Sequence, residues 1–169
     1  MDVRRLTSGD ADAYRPMRLR GLQEHPEAFA ASFEEERDEA PEKVVERLGY
    51  PHAATFGAFI DGQLVGIGSL ACNPRPKLKH RAMVVAMYVA REYQGRGAGQ
   101  ALVSAIVQQA RATDGVEDLT LAVTVGNEAA RAVYQKAGFE RYSIDPRLFR
   151  IGDRYYDVEW MILSLQKDE

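Results

Sequence analysis

The sequence predicts a mixed α/β domain. Helix-forming segments crowd the stretch before Ala53, strand-like segments follow it, and a glycine run sits between an apolar strand and an amphipathic helix. Strand, helix, strand and helix arranged around that run require packed layers of sheet and helix. With 169 residues, 46% of them hydrophobic, one domain spanning 1–169 is expected, without repeats or a low-complexity linker.

Val3 to Leu6 reads as a short strand, and Thr7-Ser8-Gly9-Asp10 supplies helix-start residues for a segment from Ala11 to Gln23. Pro16 either kinks that helix or marks its first turn. His25-Pro26-Glu27 interrupts it, a second short helical stretch is expected through Phe29, Phe33 and Glu34-Glu35-Glu36, and Pro41 opens another helix to Leu48. From Ala53 the period changes to two: Phe56, Ala58 and Ile60 alternate, Asp61-Gly62 is a hairpin turn, and Leu64 to Cys72 is the return strand. Asn73 to Lys77 breaks the sheet. Ala82 to Val89 is apolar almost throughout, as expected of a central strand covered on both faces.

Beyond the glycines, Leu102, Val103, Ile106, Val107 and Ala110 form one stripe of a helix over 98–112, with Ser104, Gln108 and Arg111 opposite and Asp114-Gly115 as its stop. Leu119 to Val125 alternates as a strand. Asn127 caps a helix from Glu128 to Ala137, and Gly138 ends it. Phe139 to Ile144 and Tyr155 to Leu165 complete the sheet, with Pro146 in a connection and Gly152-Asp153 as a turn.

A net charge of −3 removes the whole-chain argument for nucleic-acid binding. No apolar run approaches membrane-spanning length and no long apolar region follows Met1, so neither a membrane nor a secretory leader is expected, and a cytoplasmic location is the default. The single cysteine, Cys72, cannot form an internal disulfide and reads as a small buried hydrophobe. No metal is expected.

The run Tyr93-Gln94-Gly95-Arg96-Gly97-Ala98-Gly99-Gln100 carries the functional signal. Glycine allows positive φ and close backbone approach, and the helix that follows offers its positive end, so the run reads as a cradle for a diphosphate. Two nucleotide motifs fail on it. G-x-G-x-x-G would need glycine where Gln100 stands, or where Leu102 stands if begun at Gly97, and no G-x-x-x-x-G-K-[ST] string occurs.

The segment does fit Q/R-x-x-G-x-G/A as Gln94 to Gly99, and here the chain resembles the GNAT superfamily of acyl-CoA-dependent N-acetyltransferases. Met87-Tyr88-Val89, the spacing Asn127-x-x-Ala130-x-x-x-Tyr134 and Lys136-Ala137-Gly138-Phe139 extend the resemblance from Leu64 to Tyr142. Arg18 to Phe29 with Ser32 to Glu36 is similar to uncharacterised bacterial-type members. The resemblance implies a twisted, mostly antiparallel sheet of six or seven strands flanked by four or five helices and splayed between the fourth and fifth strands.

It also implies acetyl transfer from acetyl-CoA to a primary amine of a small molecule, peptide or protein; the alternative is a non-catalytic acyl-CoA sensor. Met87, Tyr88 and Val89 would pair with the pantetheine arm, and Gln94, Gly95, Arg96, Gly97, Ala98, Gly99 and Gln100 would surround the diphosphate, where a large side chain at Gly97 or Gly99 would block approach. Asn127 would cap its helix, bond the pantetheine, or both. Tyr134 would protonate the leaving thiolate, against the alternative of a tyrosine that only packs beneath the sheet.

The family's usual glutamate positions fall on Met83 and Ala122, neither of which can accept a proton. The base is then Glu34, Glu35, Glu36, His80 or water, and no choice among them is readable. Phe149, Tyr155, Tyr156 and Trp160 either form an aromatic patch for a homodimer or fill the core.

Overall fold

A computed structural model describes residues 1–166. Its strands are β1 (Asp2–Arg5), β2 (Ala53–Ile60), β3 (Gln63–Cys72), β4 (Arg81–Val89), β5 (Asp118–Thr124), β6 (Glu140–Ile151) and β7 (Arg154–Ser164). The helices are α1 (Ala11–Glu24), α2 (Phe33–Glu36), α3 (Pro41–Leu48), α4 (Ala98–Arg111) and α5 (Glu128–Lys136). One sheet runs β1-β2-β3-β4-β5-β7-β6. The sheet is mostly antiparallel, as the resemblance implies, and its one parallel pair is β4–β5.

The two faces of the sheet bury different clusters. Leu102, Val103, Ile106 and Ala110 of α4 pack on Val65, Leu70, Val84, Leu119, Leu121 and Met161, which is the helical stripe predicted there. On the other face, Tyr14 and Leu22 of α1 and Val44 and Leu48 of α3 meet Leu6, Ile67 and Tyr88.

Strand β4 is not covered on both faces as its apolar run suggests. Val85, Ala86 and Met87 are only half-buried. The cause is a bulge: Ser69 faces Val85 while Ile67 faces Tyr88, so β4 carries an extra residue, and Ala86 takes φ 58 to accommodate it. A left-handed alanine costs about 1–2 kcal/mol. The bulge also reverses the pleat, turning Val84 toward α4 but Tyr88 toward α1.

Two further expectations are corrected. Pro146 lies within β6, where register slips between Asp145 and Phe149 and Arg147 adopts φ 56. A proline is tolerated because β6 is an edge strand with no second neighbour to donate to. The stretch through Phe29 is not one helix: Pro26–Ala28 is a 3-10 turn, Phe29 is extended, and α2 starts afresh at Phe33. There Ser32 Oγ accepts from Glu35 N at 3.2 Å, and Glu35 Oε2 accepts from Ser32 N at 2.6 Å. A reciprocal cap of this kind nucleates a new helix rather than extending an old one.

Candidate active-site cleft

Strands β4 and β5 pair only at Arg81–Asp118, Ala82–Leu119 and Met83–Thr120. Beyond Met83 they diverge, because β5 continues against β7 as far as Thr124 while β4 follows β3 through the bulge. The β4 edge from Val84 to Val89 therefore has no strand beside it, and a cleft of about 450 Å³ opens along it.

The glycine turn closes one end. Gly95 and Gly97 sit at φ 75 and 85, and α4 starts at Ala98 with no acidic residue in its first turn. None of the N–H groups from Gly95 to Gln100 donates to an acceptor among the described residues. Six unpaired donors and a helix N-terminus thus lie together in one turn at the end of the cleft, an arrangement suited to a polyanion. A Cβ at Gly97 would meet nothing within 4 Å, and one at Gly99 would make ordinary contact with Val133. What the chain itself needs at Gly97 is the left-handed backbone rather than room within the fold. Gln94 donates Nε2 to the Val89 carbonyl at 3.1 Å and pins the turn to β4, while exposed Arg96 stacks over Tyr93.

Helix α5 forms the opposite wall. Asn127 Oδ1 accepts from Ala130 N at 3.3 Å, so the cap predicted for it is present. Arg131 Nε bonds both oxygens of buried Glu159 at 3.1 Å and ties α5 to β7. Gly138 at φ 101 ends the helix with Phe139 N donating to Tyr134 O and Gly138 N to Gln135 O. This stop brings the Phe139 ring edge-on to Tyr134 at 6.1 Å. Tyr134 is 7% exposed yet lines the cleft, and burial pushes its hydroxyl up to about 12.

The third wall comes from the segment after α1. His25, Ala28 and Phe29 line it. The Thr124 hydroxyl donates to the Glu27 carbonyl at 2.6 Å, fastening the 3-10 turn to the end of β5. Tyr88 donates its hydroxyl to Glu24 Oε2 at 2.7 Å. Burial and that carboxylate raise the phenol, and the same bond with Arg20 holds Glu24 below the usual carboxylate range. Arg20 also forks onto Glu92 at 2.8 and 2.6 Å.

Of the predicted binding residues, Met87, Tyr88, Val89, Gln94, Gly95, Gly97, Ala98, Gly99, Gln100, Asn127 and Tyr134 all border this cleft. The candidate bases do not. Glu36 is buried and bonds Arg18 at 2.8 and 3.0 Å, Glu35 caps its own helix, and Glu34 faces solvent. His80 lies at the paired end, its carbonyl accepting from Glu117 and Asp118; the seven residues from there to Met87 span roughly 20 Å. His25 was legible only as a helix break, since no spacing links it to the strands it faces. Phe149, Tyr156 and Trp160 are half-buried and Tyr155 is exposed beneath Arg147 and Arg150, so none of the four belongs to the core.

The family model for the Acetyltransferase (GNAT) family matches residues 20–139. An N-alpha-acetyltransferase of Sulfurisphaera tokodaii is 29% identical over 119 residues, covering 66% of this chain and 71% of that protein. A mycothiol acetyltransferase of Salinispora tropica is 30% identical over 79% of this chain, which spans only 42% of that protein. Among solved structures, an acetyltransferase of the GNAT family from Streptococcus pneumoniae shares the fold at a TM-score of 0.88 and 22% identity, covering 98% of this chain and 99% of that one. A Salmonella typhimurium structure with its cofactor acetyl-CoA has a TM-score of 0.86 at 18% identity, covering 100% and 96%. Among the described residues no helix is long and apolar enough to cross a membrane. The chain belongs to the acetyltransferase (GNAT) family.

Proposed function

We propose that this family member moves an acetyl group from acetyl-CoA to a primary amine by direct attack, with the donor held in the cleft between β4 and β5. The observation that carries the reading is the unpaired β4 edge leading into the six free N–H groups of Gly95 to Gln100. An extended pantetheine can add to that edge as a strand would, using the backbone of Met87, Tyr88 and Val89. Its diphosphate would then meet the donors and the positive end of α4, with Arg96 and Gln100 beside it.

Three needs remain for the chemistry: polarisation of the thioester carbonyl, a proton for the departing sulfur, and a neutral nitrogen. A β4 backbone N–H can serve the first. Tyr134 can serve the second, because burial keeps its proton in place at neutral pH. Asn127 spends one Oδ1 bond on its cap, and its amide N–H groups remain available to the pantetheine.

Incubation with acetyl-CoA and a panel of spermidine, free amino acids, peptides with a free α-amino group and aminoglycosides tests the reading. Free thiol should appear with at least one acceptor. Tight acetyl-CoA binding in calorimetry without thiol release would replace the transferase with a sensor, and absence of binding would remove both. Exposed Tyr142, Ile144, Leu148 and Ile151 on edge strand β6, with Tyr155 of β7, support a homodimer. Sedimentation would then read twice 18.9 kDa.

A further inference from the structure

We propose that His25, oriented by Glu27, takes the proton from the acceptor's ammonium group, an inference that rests on the acetyltransferase reading above. The titratable side chains bordering the cleft are His25, Tyr88, Tyr93 and Tyr134. Phenols ordinarily ionise near pH 10 and hold their protons at neutrality, whereas imidazole exchanges one between about pH 5 and 8. Strand positions 83 and 122 carry methionine and alanine, and the buried acid that does stand on the sheet near the cleft, Glu159, is held by Arg131. The proton has to leave by another wall.

The geometry of the α1 exit fits that task. His25 follows the last turn of α1, its N–H donating to the Gly21 carbonyl at 3.0 Å, and its ring lies 6.2 Å from that of Tyr88, tilted by 53°. Nδ1 is 3.6 Å from Glu27 Oε1, an electrostatic contact just beyond hydrogen-bond length that a small rotation closes. A carboxylate at Nδ1 favours the tautomer that leaves Nε2 free to accept. Thr124 holds the Glu27 backbone to β5, so the imidazole's partner is fixed to the same strand that bounds the cleft. The groups around His25 are Glu24 and Arg20 from α1, Glu27 from the 3-10 turn, Tyr88 from β4, and Glu92 behind Arg20. Glu24 is engaged by Tyr88 and Arg20, and Glu92 by Arg20, which leaves Glu27 as the carboxylate facing the imidazole.

The step balances without an added reagent. The ammonium passes one proton to His25 Nε2, and the freed nitrogen lone pair forms the C–N bond at the thioester carbonyl. Collapse of the tetrahedral carbon breaks the C–S bond, and Tyr134 gives its proton to the sulfur. The surplus proton on nitrogen returns to the Tyr134 oxygen, and His25 releases its proton to water. The products are amide, thiol and one proton.

The test is kcat/KM against pH with acetyl-CoA and whichever panel amine turns over fastest. The wild type should rise across the imidazole range. His25→Gln should lose about 100-fold or more and lose that rise, while its acetyl-CoA Kd stays that of the wild type, which also reports the fold. Glu27→Gln should keep the rise but lower kcat/KM by about 10-fold, because the proton-accepting tautomer is no longer favoured. Nitrogen-15 NMR of the His25 ring in the acetyl-CoA complex, which needs no turnover, should show Nδ1 carrying the proton in the wild type and a mixture of tautomers in Glu27→Gln. A rise that persists in His25→Gln overturns the role of His25 and leaves the transferase reading standing. A tautomer ratio unmoved by Glu27→Gln overturns the orienting role of Glu27. A wild type that binds acetyl-CoA but acetylates nothing in the panel overturns the transferase reading and this role together.

Discussion

The wall of the cleft along β4 and the glycine turn is made of backbone, whereas the wall at the α1 exit is made of side chains. On the first, the useful groups are an unpaired strand edge and the N–H groups from Gly95 to Gln100, and side chains such as Gln94 serve mainly to hold that backbone still. On the second, Arg18 grips Glu36 with side chains 13% and 8% exposed, Arg18 stacks on Phe29, and Thr124 and Tyr88 reach across to Glu27 and Glu24. A backbone wall can receive the same donor in many different sequences. A side-chain wall changes with each substitution and is where acceptor choice would be set.

The largest expected effect is at Tyr134, a side chain that the helix stop places on the α5 wall. Tyr134→Phe should lower kcat by about 10²–10⁴ with acetyl-CoA affinity nearly unchanged, read by steady-state kinetics and calorimetry. An unchanged kcat would return Tyr134 to a packing role.

Next comes the buried pair of Arg18 and Glu36 beneath the wall at the α1 exit. Burial alone would raise the Glu36 carboxyl, but the Arg18 fork and nearby Arg47 hold it below the usual range. A carboxylate depressed in the folded state adds stability above its unfolded pKa, near 4.3, and loses it as pH falls through the folded value. Glu36→Gln should therefore cost about 3–5 kcal/mol at pH 7, because it strands the Arg18 charge. It should also remove this group's share of the acid-side loss, as urea midpoints at pH 7 and pH 4 would show.

A smaller effect is expected at Gly97. A β-branched residue at φ 85 is strained by about 1–2 kcal/mol, and a backbone that relaxes to escape the strain turns its N–H away from the common focus. Gly97→Val should weaken acetyl-CoA binding by about 10–100-fold, measured by calorimetry, with the acceptor KM little moved. The smallest is Thr124→Val, which deletes the 2.6 Å bond to the Glu27 carbonyl at a cost of about 1 kcal/mol. Here the acceptor KM should rise while the acetyl-CoA KM holds. A reversed pattern in either variant would mean that the two walls do not divide the substrates as proposed.

The residues differ in how far the sequence alone could place them. Tyr134 stood out only through the family resemblance, whereas Asn127 and Gly138 were legible because cap and stop lie on one short helix and are read along the chain. The glycine turn was legible for the same reason. The bulge at Ala86 was not, since nothing local makes an alanine left-handed; it follows from how β4 must stay paired with β3 while leaving β5. The acid run at Glu34 to Glu36 read as one unit, yet the structure divides it into a solvated residue, a cap and a buried ion pair. The cap lies within four residues of sequence; the ion pair needs Arg18, which only the packing of α1 on α2 supplies.

The sequence by itself determined the layers, the order of the elements and the glycine turn at one end of the cleft, because helical stripes, strand alternation and glycine spacing are encoded between near neighbours. Only the tertiary structure decided where β4 parts from β5, that His80 stands at the paired end, and that His25 faces Tyr88 while Glu27 is tied to Thr124. Those contacts join residues tens of positions apart. Their free energy depends on burial and on the positions of whole elements, which no local pattern of side chains records.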